Sequence, residues 1–283
     1  MSSNIFLEAE DLLKELKEGK ITVVDVRSFW KYAKGHIPKA LWFYIIDLTQ
    51  QEKGIPSKPK EVEELAKVLG KNGISREDRI VIAYDKISAA AATYLFWYLE
   101  YLGQEEVKLL KGGMEVWEFK GYPLEQGIVK AVQKEYKPNL RKEIRASLED
   151  VLRVVENKEE ALLIDIRTLD EFLGKIKTTP KPGKIPGALL MDPELFLNAL
   201  YGDEKALNEI VKILQSSNKR VISYCSTGER ASLAWFVLNK MLRYGNVKLY
   251  PESFYEYSIY EGNKIETGLN AEPKKKDKKE YCG

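Results

Sequence analysis

The chain has very little histidine and cysteine: one His and two Cys among 283 residues. A Ser-His-Asp triad would have to use His36, and a site of several histidines around a metal is excluded. Two cysteines cannot build a Cys-rich zinc or iron–sulfur centre, nor a disulfide framework, so a reducing, cytoplasmic setting is expected. No sign of charge dominates. Lys+Arg 45 against Asp+Glu 43 leaves a net charge of +2, which gives no electrostatic footprint for nucleic acid or a membrane surface. The N-terminus lacks a basic segment followed by an apolar one, so no signal peptide is expected. The longest apolar run, Ile87 to Leu99, is too short to cross a bilayer and contains Ser88 and Thr93.

What is present suits a folded protein. Hydrophobic residues make up 44% and aromatics 11%, enough for real cores, and the length suits about two domains. The most informative feature is an internal repeat. Val23-Val24-Asp25-Val26-Arg27 recurs 140 positions later as Leu163-Ile164-Asp165-Ile166-Arg167. At the same offset, Arg79–Asp85 recurs as Lys219–Cys225 and Val107–Leu110 as Val247–Tyr250. Gly35-His36-Ile37-Pro38-Lys39-Ala40 recurs as Gly183-Lys184-Ile185-Pro186-Gly187-Ala188 at an offset of 148, implying an insertion of about eight residues near Leu173–Pro182. Three matches at one offset make duplication a far better account than chance.

Each half alternates helical and strand-like patterns. In the first half, helical spacing covers Glu10–Glu18, Glu61–Lys71, Ala89–Leu102 and Gly113–Phe119, and strand-like runs cover Ile21–Val24, Arg79–Ala83 and Val107–Leu110. Short apolar strands between helices predict an α/β fold, a mainly parallel sheet flanked by helices in each half. The expected division is a domain over 1–125, a linker over 126–142, a second domain over 143–269, and a Lys-rich solvated tail over 270–283.

The halves differ where chemistry is expected. In open α/β sheets, ligands bind beyond the carboxyl ends of the strands. At that place the first copy has Asp85 and the second has Cys225, so one half reads as active and the other as vestigial. After Cys225 come Ser226-Thr227-Gly228-Glu229-Arg230-Ala231 and an apolar helix, Leu233–Leu242. A short loop of this kind can curl its backbone N–H groups into an anion nest, with the positive end of the helix dipole behind it. Such a cup favours a thiolate nucleophile that needs no general base. An inert buried cysteine is the alternative.

These motifs resemble tandem rhodanese domains, and the chain is similar to two-domain thiosulfate sulfurtransferases from about Phe6 to Tyr260. The resemblance rests on several features: Asp25/Arg27 and Asp165/Arg167 at strand ends, the Gly-His-Ile-Pro type turns, Arg167-x-x-x-Glu171-Phe172, and Gly112-Gly113-x-x-x-Trp117. Most specific is Cys225-x-x-Gly228-Glu229-Arg230. The Cys-x4-Arg spacing is shorter than the Cys-x5-Arg of related phosphate-binding enzymes, with Ala231 at the longer motif's Arg position and Tyr224 where those enzymes carry His.

The resemblance implies sulfur transfer by double displacement. Cys225 takes sulfane sulfur from thiosulfate as a persulfide and passes it to cyanide or a thiol, with no metal or organic cofactor. Backbone N–H groups of Ser226 to Ala231 are expected to stabilise the persulfide. Arg230 and Arg167 either meet the anionic sulfur or brace the loop, Arg230 through Asp165 or Glu171. Asp165 is expected to fix the loop, and Glu229 either tunes the loop's field or is solvated.

Ser226 and Thr227 stand where mitochondrial-type enzymes carry basic residues, and the mercaptopyruvate-type loop ending is also absent, so the donor stays open. Alternatives are 3-mercaptopyruvate as donor, a persulfide relay with a protein acceptor, and a non-catalytic module. His36 is expected to be structural. Trp30 and Trp42 are expected in the core or along the cleft between the halves. Cys282 is a bystander or a mobile sulfur acceptor.

Overall fold

The computed structural model describes residues 5–214 and 219–268. The Lys-rich tail and Cys282 lie outside the described residues. The first half runs through β1 (Phe6–Leu7), α1 (Ala9–Glu18), β2 (Thr22–Asp25), α2 (Phe29–Lys34), β3 (Leu41–Trp42), β4 (Thr49–Glu52), β5 (Ile55–Pro59), α3 (Val62–Lys71), β6 (Arg79–Ala83), α4 (Ala89–Tyr101), β7 (Glu106–Leu110) and α5 (Gly113–Phe119). The second runs through α6 (Leu148–Val155), β8 (Ala161–Asp165), α7 (Leu169–Phe172), β9 (Leu189–Leu190), α8 (Pro193–Leu200), α9 (Glu204–Leu214), β10 (Arg220–Tyr224), α10 (Glu229–Trp235), β11 (Val247–Leu249) and α11 (Ser253–Ile259).

Each half is built on a parallel sheet, in the orders β1-β7-β6-β2-β3 and β11-β10-β8-β9. The orders coincide, except that β1 is matched in the second half by a single parallel bridge, Arg145 to Leu249. This is the expected pair of α/β domains with helices flanking the sheets. The sequence pattern did not predict the antiparallel β4–β5 hairpin. Its two-residue turn, Lys53-Gly54, has both residues at positive φ, the conformation that tight hairpins require.

The helices that follow the two strand-end loops, α4 and α10, pack against each other and join the halves through one continuous core. Helix α4 (AAAATYLFWYLEY) is apolar on nearly every side and almost wholly buried, as expected of a helix with protein all round it. Phe96 meets Phe236 edge to face, with centroids 4.9 Å apart, and Thr93 Oγ1 lies 2.7 Å from Ser232 Oγ across the seam. Helix α10 starts at Glu229, four residues earlier than its apolar pattern suggested, because its first turn is polar and belongs to the loop. At Phe236–Met241 it loosens into a π-helical turn.

Residues 126–141 form no regular element before a short 3-10 turn at Lys142–Ile144, yet they are pinned to the first half. Lys134 N donates to Gly70 O and Asn139 N to Leu102 O, each at 2.9 Å. A Cβ on Gly103 would lie 2.1 Å from Asn139 O, so that glycine is what lets the strap lie close. Trp30 is not a core residue: it is 81% exposed at the start of α2. Trp42 is partly buried on β3, where its Nε1–H donates to Arg27 O. His36 is buried, stacked on Tyr32, with Nδ1 2.9 Å from Tyr32 O. Lys184, at the corresponding turn of the second half, is also buried, over the Phe172 ring.

Candidate active site at the Cys225 loop

Cys225 directly follows strand β10 and keeps only 1% of its surface. The chain then turns through Ser226-Thr227-Gly228 into α10. Gly228 has φ +93°, and a Cβ there would meet Pro251 O at 2.3 Å and the Tyr94 hydroxyl at 2.9 Å. Only glycine fits this turn and this approach. The turn aims the Gly228 N–H at the Cys225 sulfur, at 3.1 Å. The wall facing it comes from both halves: Pro251 from the second, Tyr94 from α4 of the first.

The loop's backbone is held from below. Cys225 N donates to Ser253 Oγ at 3.1 Å, and Ser253 Oγ donates to Tyr250 O at 2.8 Å. Phe254 N donates to Cys225 O and Tyr255 N to Ser226 O, each at 3.0 Å. Ser253, Pro251 and Tyr94 were missed in the sequence. The one available signal was that Ser253 falls 140 positions after Gly113, within the duplicated pattern.

Among the expected site residues, the structure brings together Cys225, Ser226, Gly228, Arg230 and Glu171. Arg230 forms a two-pronged pair with Glu171, Nη1 to Oε2 at 2.8 Å and Nη2 to Oε1 at 2.9 Å. Its Nη2 also reaches Ser226 Oγ at 3.0 Å, and Ser226 Oγ donates to Glu171 Oε1 at 3.0 Å. Glu171 is anchored by the Thr168 N–H and hydroxyl at the start of α7 and by the Thr178 hydroxyl at 3.1 Å. Thr178 belongs to the segment inserted in the second copy.

Burial alone would raise the Glu171 pKa, but hydrogen bonds from Arg230 and Thr168 hold it far below the usual carboxylate range. For Arg230, burial opposes the charge. Glu171, together with the field of Cys225, keeps the guanidinium firmly protonated. Thr227 is half-exposed and Ala231 fully buried. Glu229 is partly buried, and desolvation raises its pKa against the pull of Arg230.

Asp165 and Arg167 form a separate brace. Arg167, 1% exposed, donates through Nε and Nη2 to Asp165 and through Nη2 to Gly183 O at 2.8 Å. Its guanidinium lies 4.2 Å above the Phe254 ring. These donors tie the strand end to the Gly183 turn and do not reach the loop. The first half repeats the brace, with Arg27 bound to Asp25 and to Gly35 O at 2.7 Å.

In the first half, Asp85 stands at the nucleophile's position. Its Oδ1 accepts the Ser88 N–H at 2.9 Å, the counterpart of the Gly228-to-sulfur contact. Lys31, the counterpart of Glu171 in sequence, pairs with Asp85. A charged cavity of about 490 Å³ opens there, lined among others by Arg27, Lys31, Lys34, Glu115 and Glu118.

The Rhodanese-like domain family matches residues 8–120 and again 147–259. The chain belongs to the rhodanese family. A provisionally named thiosulfate sulfurtransferase 1 of Mycobacterium bovis is 35% identical over 221 residues, covering 74% of this chain and 78% of that protein. A relative with the same provisional activity from Mycolicibacterium smegmatis is 31% identical over 94% of this chain and 99% of its own length. The sulfur carrier protein TtuD of Thermus thermophilus is 29% identical, covering 93% of this chain and 97% of the carrier. Among solved structures, the anaerobic ergothioneine biosynthesis enzyme of Chlorobium limicola shares the fold, with a TM-score of 0.78 at 24% identity, over 94% of this chain and 71% of that one. This rhodanese-family protein is thereby supported as a sulfurtransferase. Among the described residues, no helix is long and apolar enough to cross a membrane.

Proposed function

We propose that this rhodanese moves sulfane sulfur from thiosulfate to a nucleophilic acceptor through a persulfide on Cys225. The observation that carries this reading is the Gly228 N–H directed at the Cys225 sulfur, in a turn only glycine can make. In the first step the Cys225 thiolate attacks the outer sulfur of thiosulfate. The new S–S bond forms as the bond to the sulfonate sulfur breaks, and sulfite leaves with the electron pair. The Gly228 amide points at the sulfur and the fixed charge of Arg230 interacts with it electrostatically, so negative charge there meets groups already in place. In the second step an acceptor takes the outer sulfur and the thiolate returns.

Arg167 and Asp165 serve here as the brace, not as substrate ligands. The reaction uses this chain's own groups and calls for no cofactor, and a free thiolate suits a reducing, cytoplasmic setting. The deciding experiment is thiocyanate formation from thiosulfate and cyanide, with Cys225→Ser in parallel. Turnover by the wild type and none by the variant supports the proposal, and full turnover by the variant overturns it. A relay role is favoured by the likeness to a sulfur carrier. Slow thiosulfate turnover beside fast sulfur exchange with a persulfidated protein would select that role.

A further inference from the structure

The first half has a cavity where the second half has its nucleophile. Arg27 and Asp85, which follow strands β2 and β6, both line it. That is the end of an open parallel sheet at which ligands bind. Its volume of about 490 Å³ falls within the roughly 300–1,000 Å³ usual for small-molecule sites. Four of its lining residues differ in charge from their counterparts 140 positions later: Lys31 stands for Glu171, Asp85 for Cys225, Glu115 for Tyr255 and Glu118 for Ser258. The charges are sorted by element. Lys31 and Lys34 lie one turn apart on α2, and Glu115 and Glu118 one turn apart on α5.

Arg27 is the buried member, 4% exposed. Its Nε and Nη2 are engaged by Asp25 and Gly35 O. Its Nη1 makes no hydrogen bond among the described residues and has only the Glu118 carboxylate nearby, at 3.6 Å. In the second half the Phe254 ring covers the Arg167 guanidinium at 4.2 Å. Met114 takes that position here, and Arg27 borders the cavity. The Lys34 ammonium makes no hydrogen bond and no ion pair among the described residues. Lys31 is taken up by Asp85, and Glu115 is set in place by the Lys86 N–H, which donates to its Oε1 at 2.9 Å.

We propose that this cavity binds a free α-amino acid with an apolar side chain. Its carboxylate meets Arg27 Nη1 and Lys34, its ammonium meets Glu115 and Glu118, and its side chain meets Met114 and Leu124. The lining carries three basic and three acidic side chains, so a simple anion or a simple cation finds no net attraction. A zwitterion finds a partner for each of its charges, and a buried guanidinium is a strong donor to a carboxylate. The inference is independent of the chemistry at Cys225.

The test is isothermal titration calorimetry of the full-length protein with L-leucine and L-methionine. Two leucine analogues serve as controls: 4-methylpentanoate, which lacks the ammonium, and 3-methylbutylamine, which lacks the carboxylate. Saturable binding of one amino acid per chain is expected, with both analogues weaker by at least about tenfold. Lys34→Met and Glu118→Gln alter exposed side chains, and each is expected to weaken binding by at least about tenfold, whereas Lys34→Arg keeps it. Cys225→Ser is expected to bind like the wild type. No binding of either amino acid up to about 10 mM would overturn the proposal. Equal affinity for 4-methylpentanoate would make this an anion site and overturn it as well. Affinity unchanged in both Lys34→Met and Glu118→Gln, or lost in Cys225→Ser, would place the ligand elsewhere and overturn the assignment to this cavity.

Discussion

Ser253 accepts the amide hydrogen of Cys225 at 3.1 Å from a backbone held at φ +57°. Its counterpart 140 residues earlier is Gly113, at φ +70°. Glycine takes that conformation without strain, and a residue with a Cβ does not. The second half tolerates the strain where a hydroxyl is needed to satisfy the nucleophile's own buried N–H. Ser253→Ala keeps the strain and loses the bond, and is expected to destabilise the fold by about 2 kcal/mol. Ser253→Gly loses the bond but recovers about 1 kcal/mol of backbone strain. Denaturant unfolding should therefore rank wild type above Gly and Gly above Ala, and sulfur transfer should fall in both variants. A Gly variant less stable than Ala would contradict this account.

The Glu171–Arg230 pair makes a pH prediction whose sign follows from its direction. The Glu171 pKa is depressed from 4.5 in the folded protein. The pair's contribution is therefore full above the unfolded value and is lost as pH falls through the folded one. The stability gap between wild type and Glu171→Gln should be constant near neutrality and shrink only below about pH 4.5. Near neutrality the variant leaves Arg230 without its anion and Ser226 without a good acceptor. Turnover should fall by at least about tenfold through lost positioning. A stability gap that closed on the alkaline side would contradict the assignment.

Asp85 and Lys31 predict a loss of stability without a loss of activity. Burial raises the Asp85 pKa, but Lys31 and Ser88 outweigh it and hold the carboxylate charged. Asp85→Asn should lower thermal stability, with a loss of about 1 kcal/mol costing roughly 2–4 °C in a chain of this size. Sulfur transfer at Cys225 should persist, because the Asp85 loop belongs to the other half. Loss of activity in a fully folded Asp85→Asn variant would show that the first half takes part in the chemistry.

The two braces separate a structural arginine from a substrate-binding one. Arg167→Lys and Arg27→Lys each replace a planar, two-pronged donor with a point charge in a buried site. Both should destabilise by a similar amount, about 3 kcal/mol. If Arg167 is only a brace, the folded fraction of its variant should bind thiosulfate with an unchanged KM. A raised KM in Arg167→Lys alone would return that residue to the substrate.

The repeat made much of this legible in the sequence. Strands β6 and β10 and helices α4 and α10 fall at the offset of 140, because both copies keep the apolar runs that build one parallel sheet. The contrast between Asp85 and Cys225 singled out the loop for the same reason. What stayed hidden depends on tertiary partners. Whether Arg230 paired with Asp165 or with Glu171 could not be read from charge alone. The sequence also could not show that Asp165 was already taken by Arg167. Trp30 looked like core by residue type but sits on the outer face of α2. Tyr94 carries no chemistry in its own half and reaches Gly228 only because α4 crosses α10.

The most direct test of the central claim is the intact mass of the protein before and after thiosulfate, with Cys225→Ser alongside. The account predicts a gain of one sulfur, about 32 Da, that is lost on adding cyanide and never appears in the variant. A wild-type protein that turns thiosulfate over without that gain, or a Cys225→Ser variant that acquires it, would contradict the account.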